Sequence, residues 1–183
     1  TFLYRISDGT LFDTARVNIT VTNTAPVAVN DSPAAFNSNT VNNNFAVQSN
    51  DSDPDGPNPM TTEIIDGPDN GSASVSGINI LYTPQTNFYG KDTITYRICE
   101  PVDPNSCDAP LCDTAFVFIV VNNRPPVTTP DVAVTNGCQA IQIFVLSNDS
   151  DPEGQPIGLT ITTVSVPANG TATIDPGGQS ITY

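Results

Sequence analysis

The sequence predicts an all-β chain of tandem immunoglobulin-like β-sandwich modules, each of about one hundred residues and about seven strands. Three observations carry this: apolar residues alternate in short runs, Gly-containing turn pairs punctuate the runs, and the pattern recurs along the chain. Ala15-Arg-Val-Asn-Ile-Thr-Val21 alternates cleanly and sets Ala15, Val17, Ile19 and Val21 on one face. Ile78 to Tyr82, Thr93 to Ile98 and Ala115 to Val121 follow as further strands. The pairs Asp8-Gly9, Asp55-Gly56, Asp66-Gly67, Asn70-Gly71 and Ser76-Gly77 are expected to supply the positive φ of tight turns. No stretch long enough for a helix carries apolar positions at three-four spacing free of Pro and Gly. Tyr82 and Tyr96 are expected in the core or at a corner, their hydroxyls on backbone partners.

The repeat has a period close to one hundred residues. Thr1-Phe-Leu-Tyr-Arg-Ile6 recurs as Thr93-Ile-Thr-Tyr-Arg-Ile98, and Asp13-Thr-Ala15 as Asp113-Thr-Ala115. Asn50-Asp-Ser-Asp-Pro54 recurs as Asn148-Asp-Ser-Asp-Pro152, and Ile80-Leu-Tyr82 as Ile181-Thr-Tyr183. The register divides the chain into the last two strands of one repeat (1–24), a complete repeat (25–124) and the first part of a third (125–183). Neither end piece is expected to close its own core, which would leave apolar faces and strand edges uncovered. The expectation is therefore a parent chain that continues on both sides, or like chains that complete one another in a fibre. Pro26 and Pro126 fall where repeats meet and stiffen the junctions.

Composition excludes several functions. The chain holds 5 Lys and Arg against 19 Asp and Glu, with a formal charge of -14. Nucleic-acid binding needs clustered cations, and docking on anionic membranes needs them too. The longest apolar run, Phe116 to Val121, is too short to span a bilayer. No His is present, so the usual general base near neutral pH is missing. Acidic pairs suited to glycoside hydrolysis sit in repeated turns rather than in one distinctive site. The chain is not expected to be an enzyme.

The acidic turns point to calcium. Asp51-Ser-Asp-Pro-Asp-Gly56 places Asp51, Asp53 and Asp55 at alternate positions, and its counterpart does the same with Asp149, Asp151 and Glu153. Such spacing lets one tight loop direct several oxygens at a hard cation, with affinity in the roughly 10⁻⁴ to 10⁻³ M class of extracellular modules. Asp31 and Asp131, near the repeat junctions, would add a ligand each. Helices and a twelfth-position Glu are lacking, so this is no EF-hand. The competing reading is a solvated turn whose carboxylates accept backbone hydrogen bonds.

Cys99 and Cys112 flank the insertion from Glu100 to Leu111, where a disulfide would staple the loop. Cys99–Cys107 is the competing pairing, with Cys138 left for Cys107 or a partner beyond Tyr183. Disulfides fit an oxidising exterior. Asn18-Ile-Thr20, Asn70-Gly-Ser72 and Asn169-Gly-Thr171 match the N-glycosylation triplet, as chance allows in a chain so rich in Asn and Thr.

Pro26-Val-Ala-Val-Asn-Asp31, Asn50 to Gly56, Tyr82-Thr-Pro84, Phe88-Tyr-Gly-Lys-Asp92 and the closing Val-Val-Asn strand give the chain a family likeness. It resembles the cadherin-like and Ig-like tandem repeats of very large bacterial surface proteins. Its Cys-bearing hairpin is similar to repeats of Bacteroidetes surface adhesins, those of gliding motility included. The resemblance implies an extracellular, cell-surface segment whose partners are neighbouring repeats. It also implies that Thr14, Thr93 and Thr114, each after an Asp, are O-glycan acceptors. The expected role is a calcium- and disulfide-stiffened stalk, the alternative being repeats that themselves bind a polysaccharide or a partner protein. That alternative would require exposed aromatics grouped on one face, whereas the aromatics mostly occupy positions read as core-facing.

Overall fold

The computed structural model describes residues 1–56, 59–102, 109–154 and 158–183. Its strands run β1 (Phe2–Ser7), β2 (Phe12–Val17), β3 (Phe36–Asn37), β4 (Asn43–Phe45), β5 (Thr61–Asp66) and β6 (Gly71–Ser76). They continue as β7 (Asn79–Pro84), β8 (Gly90–Cys99), β9 (Cys112–Asn122), β10 (Gln142–Ile143), β11 (Thr173–Ile174) and β12 (Ile181–Thr182). Among the described residues the helical elements are two 3-10 turns, Val47–Ser49 and Val145–Asn148. The chain is all-β and Ig-like.

The central repeat is a sandwich of two sheets, ordered β3-β9-β8-β5 and β4-β7-β6. Its long antiparallel pair, β8 and β9, runs in unbroken register from Gly90 opposite Val121 to Cys99 opposite Cys112. Strand alternation sends Ile94, Tyr96 and Ile98 of β8 inward with Ala115, Val117, Ile119 and Val121 of β9. They meet Ile80 and Tyr82 of β7, with Phe45, Val47 and Met60 completing the core. Phe36, Phe45 and Tyr82 pack as an aromatic trio with ring centroids 6.0 to 6.2 Å apart.

Both core tyrosines use their hydroxyls as the sequence suggested. Tyr96 reaches the Val29 carbonyl at 3.1 Å, and Tyr82 reaches the Asn70 carbonyl at 3.3 Å. Tyr82 also donates to buried Asp92 at 2.9 Å. Asp92 accepts in addition from the backbone N–H groups of Asp69, Asn70 and Thr93, so its carboxylate closes the β8 entry. Burial, reinforced by Asp92, pushes the Tyr82 hydroxyl well above its ordinary pKa.

The expected turn glycines divide into three kinds, Gly67 having neither a positive φ nor a neighbour within 4 Å of an added Cβ. Gly77 has φ +64° in the two-residue β6–β7 hairpin, as expected. Gly56 and Gly71 do not have positive φ; they are required by close approach instead. A Cβ on Gly56 would lie 1.8 Å from the Asp53 carboxylate, and one on Gly71 would lie 2.5 Å from the Tyr82 ring.

The end pieces keep the strand pattern without the sandwich. β1 and β2 form a hairpin whose Phe2, Tyr4 and Ile6 are 52%, 49% and 62% exposed, whereas their counterparts Ile94, Tyr96 and Ile98 are fully buried. The third repeat holds a small sheet ordered β10-β12-β11. Cys99 and Cys112 are joined by a disulfide at the far end of the β8–β9 pair, and Cys138 is free and exposed. Cys107, and the pairings weighed for it, lie outside the described residues.

Candidate functional site

The two acidic loops stand at the repeat junctions and are built alike. In each, the chain entering the repeat makes a two-bond antiparallel bridge to the loop. Val27 pairs with Ser52 at 2.7 and 3.1 Å, and Val127 with Ser150 at 2.8 and 3.0 Å. The bridge sets the flanking carboxylates against backbone donors. Asp51 accepts from the Val29 N–H at 2.7 Å, and Asp149 from the Thr129 N–H at 2.8 Å. Within the loops, Asp53 accepts from the N–H groups of Asp55 and Gly56, and Asp151 from that of Glu153. The third acid turns to the linker: Asp55 accepts from the Thr24 N–H at 3.0 Å, and Glu153 from the Arg124 N–H at 3.2 Å.

This arrangement differs from a cation cage. Asp51, Asp53 and Asp55 face three different sets of donors, as do Asp149, Asp151 and Glu153, because a bridged loop has unpaired N–H groups on several sides. Among the described residues no group of three or more Asp, Glu, His or Cys is placed to hold a metal ion. Asp131 is exposed in the third repeat. Two buried carboxylate oxygens nevertheless stand without a hydrogen-bond partner, Oδ2 of Asp31 and Oδ2 of Asp53.

Asp31 belongs to a second cluster of acids, around the Tyr96 hydroxyl. Its backbone pairs with β9, donating to the Phe116 carbonyl at 2.8 Å and accepting from the Phe118 N–H at 2.9 Å. Burial pushes its carboxyl up to about 6, and the neighbouring Asp51 charge adds to the shift, while bonds from Tyr96 and Asn50 oppose it. Asp51 is raised too, chiefly by burial and then by the charge of Asp113. Sequence reasoning missed Asp113 as a member of this cluster. It accepts from the Ala28 N–H at 2.9 Å and the Thr114 N–H at 2.8 Å. Its recurrence at Asp13 was the available signal.

The junction between the central and third repeats has a feature the spacing did not reveal. Glu153 is only 2% exposed. It accepts from Arg124 Nε at 2.8 Å and from the Ser38 hydroxyl of the central repeat. Beside it, the Asn39 amide donates to the Pro152 carbonyl at 3.0 Å, while Asn39 Oδ1 accepts from the Asn87 N–H at 2.7 Å. Burial works against the Glu153 charge, but the Ser38 and Arg124 hydrogen bonds prevail and hold its carboxyl below the ordinary range. The extra methylene of Glu over Asp is what lets this third acid reach the preceding repeat.

Thr14, Thr93 and Thr114 are exposed. In each case the preceding Asp accepts from the Thr backbone N–H, at 2.8 to 2.9 Å.

A family model described as the bacterial Ig domain matches residues 23–119 and 123–183. The chain belongs to this family. One matched segment of the bacterial Ig domain ends at residue 119 and the other begins at residue 123, so Arg124, which pairs with buried Glu153, stands at an Ig–Ig boundary. No curated protein matches the chain in sequence. Among solved structures, the chain is similar to an endo-fucoidan hydrolase from glycoside hydrolase family 107, at 16% identity and a TM-score of 0.41. That match covers 99% of this chain and 29% of the hydrolase, so the chain spans under a third of that protein's length. So slight a likeness transfers no property. No helix of the described residues is long and apolar enough to cross a membrane.

Proposed function

We propose that these Ig repeats form a stretch of an extracellular stalk or filament, a spacer that holds an adhesive tip of its parent protein away from a bacterial cell. The observation that supports this reading is the Glu153 latch. One buried carboxylate ties its own loop to the linker through Arg124 and to the preceding repeat through Ser38. A spacer transmits position only if its repeats cannot swivel, and a buried, fully hydrogen-bonded charge specifies one geometry by making others costly. The Cys99–Cys112 disulfide stiffens the free end of the long hairpin in the same sense. Small-angle scattering tests the reading on the full chain. The expected result is an extended particle of fixed maximum dimension, shortened and broadened by Glu153→Ala. A wild-type profile typical of freely jointed modules would overturn it.

Calcium is a second reading, favoured by the two orphaned oxygens of Asp31 and Asp53. Oxygen ligands suit a hard divalent cation, and a cation would relieve the repulsion between the carboxylates of Asp31, Asp51 and Asp113. Melting the chain in millimolar calcium and then in excess chelator tests it. A rise with calcium that is lost on Asp51→Asn with Asp53→Asn supports the ion. An unchanged melting temperature assigns the loops to backbone capping alone.

A further inference from the structure

The outer face of the β5–β8–β9 sheet is unlike the rest of the surface. Inward alternation of β9 turns Phe116, Phe118 and Val120 outward, where they are 44%, 46% and 40% exposed. The two rings stack on each other, with centroids 5.9 Å apart and planes inclined by 24°. The Ig fold does not demand them. One period upstream the same outward positions hold Arg16, Asn18 and Thr20. The apolar stripe therefore belongs to this repeat, and it corrects the expectation that the aromatics are spent on the core.

Charge singles out the same face. The chain has five cations against nineteen acids, yet Lys91 and Arg97 both point outward from β8. Lys91 stands opposite Val120, Thr93 opposite Phe118, and Thr95 opposite Phe116. Arg97 is held by Glu63 at 2.5 Å. Arg5 and Arg16 occupy the equivalent outward face of the β1–β2 hairpin, where the Arg5 guanidinium lies 4.4 Å above the Phe12 ring. Four of the five cations of a strongly acidic chain thus share one kind of sheet face with exposed rings.

The stripe exposes roughly 250 Å² of apolar surface, given about 150–250 Å² for a whole aromatic side chain. A stable protein interface needs about 800 Å² per partner. The fitting occupant is narrower, apolar on one face, polar at its edges and negatively charged. The C–H-rich face of a sugar ring carries partial positive charge and meets the negative π face of Phe. We propose that this face binds an anionic polysaccharide running along β9, its sugar rings over Phe116 and Phe118, its carboxylate or sulfate groups at Lys91, and its hydroxyls at Thr93 and Thr95. This goes beyond the stalk: the spacer itself holds extracellular polymer at this repeat.

Native gels cast with alginate, dextran sulfate or neutral dextran test it on the full chain. The charged polymers should retard the protein and dextran should not. Phe116→Ser with Phe118→Ser should weaken retardation about tenfold. Phe116→Tyr with Phe118→Tyr should preserve it, and Lys91→Gln should reduce it more in low salt than in high. All three positions are outward, so melting temperatures confirm intact folds. The proposal is overturned by absence of retardation in both charged polymers, by equal retardation in dextran, or by an undiminished Ser variant. Concentration-dependent dimerisation lost in the Ser variant would also overturn it, by giving the stripe to a second copy of the chain.

Discussion

Mild acidification should stabilise the central repeat, and the reason lies in Asp31. Its Oδ2 is buried without a partner, and its carboxyl is pushed from 3.8 up to about 6, by burial first and then by the charge of Asp51. Between those values the folded chain holds a proton that the unfolded chain has released. Stability is therefore lost as pH rises through about 6 and regained as pH falls back through it. Two units correspond to about 3 kcal/mol at full burial. Asp31 is only partly buried, and solvent screening reduces the effect to about 1 kcal/mol. For a domain of this size that moves the melting temperature by about 4–8 °C. Thermal melts followed by circular dichroism at pH 7.5 and pH 5.0 should show about half of that rise, because only the upper of the two units is crossed by pH 5.0. Asp31→Asn should give the full rise at pH 7.5 and reduce the pH dependence to the part carried by Asp51. Asp8, Glu153 and Asp175 are held below the ordinary carboxylate range and titrate beneath this window. A melting temperature that falls from pH 7.5 to pH 5.0, or an Asn variant less stable at pH 7.5, would refute the reasoning.

Asp92→Ala leaves three backbone N–H groups without their acceptor and the Tyr82 hydroxyl with the Asn70 carbonyl alone. It should cost about 3–4 kcal/mol in denaturant melts of the full chain. Cys112→Ser opens a bridge with a sequence separation of 13 and should cost about 3 kcal/mol, an effect that reductant reproduces in the wild type but not in the variant. Gly56→Ala drives a Cβ into the Asp53 carboxylate and should lower stability by about 1–3 kcal/mol, with raised amide exchange at Ser52 and Val27, whose bridge it disturbs.

Much of the fold was legible because strand alternation and repetition are local signals. Tyr96 lies between two inward Ile residues of the same strand, and Ile80 and Tyr82 share the inward face of β7. The acidic loops were harder for a physical reason. Alternating carboxylates serve a cation or a set of backbone donors equally well, and the donors here come from Thr24, Val29 and Ala28, more than twenty residues away. One partner of Glu153, Ser38, lies still farther off, in the preceding repeat. Gly56 was noticed for its turn, yet its role is space for Asp53. Phe116 and Phe118 were hidden in plain sight: in a strand apolar on both faces, hydrophobicity alone does not distinguish core from surface.

A stiff spacer requires a junction that cannot swivel. Amide residual dipolar couplings, measured on the weakly aligned full chain, test this directly. Couplings from β5, β8 and β9 and those from residues 127–154 should fit one alignment tensor, and Glu153→Ala should split them into two. Two tensors already in the wild-type chain would contradict the latch and, with it, the stiff spacer.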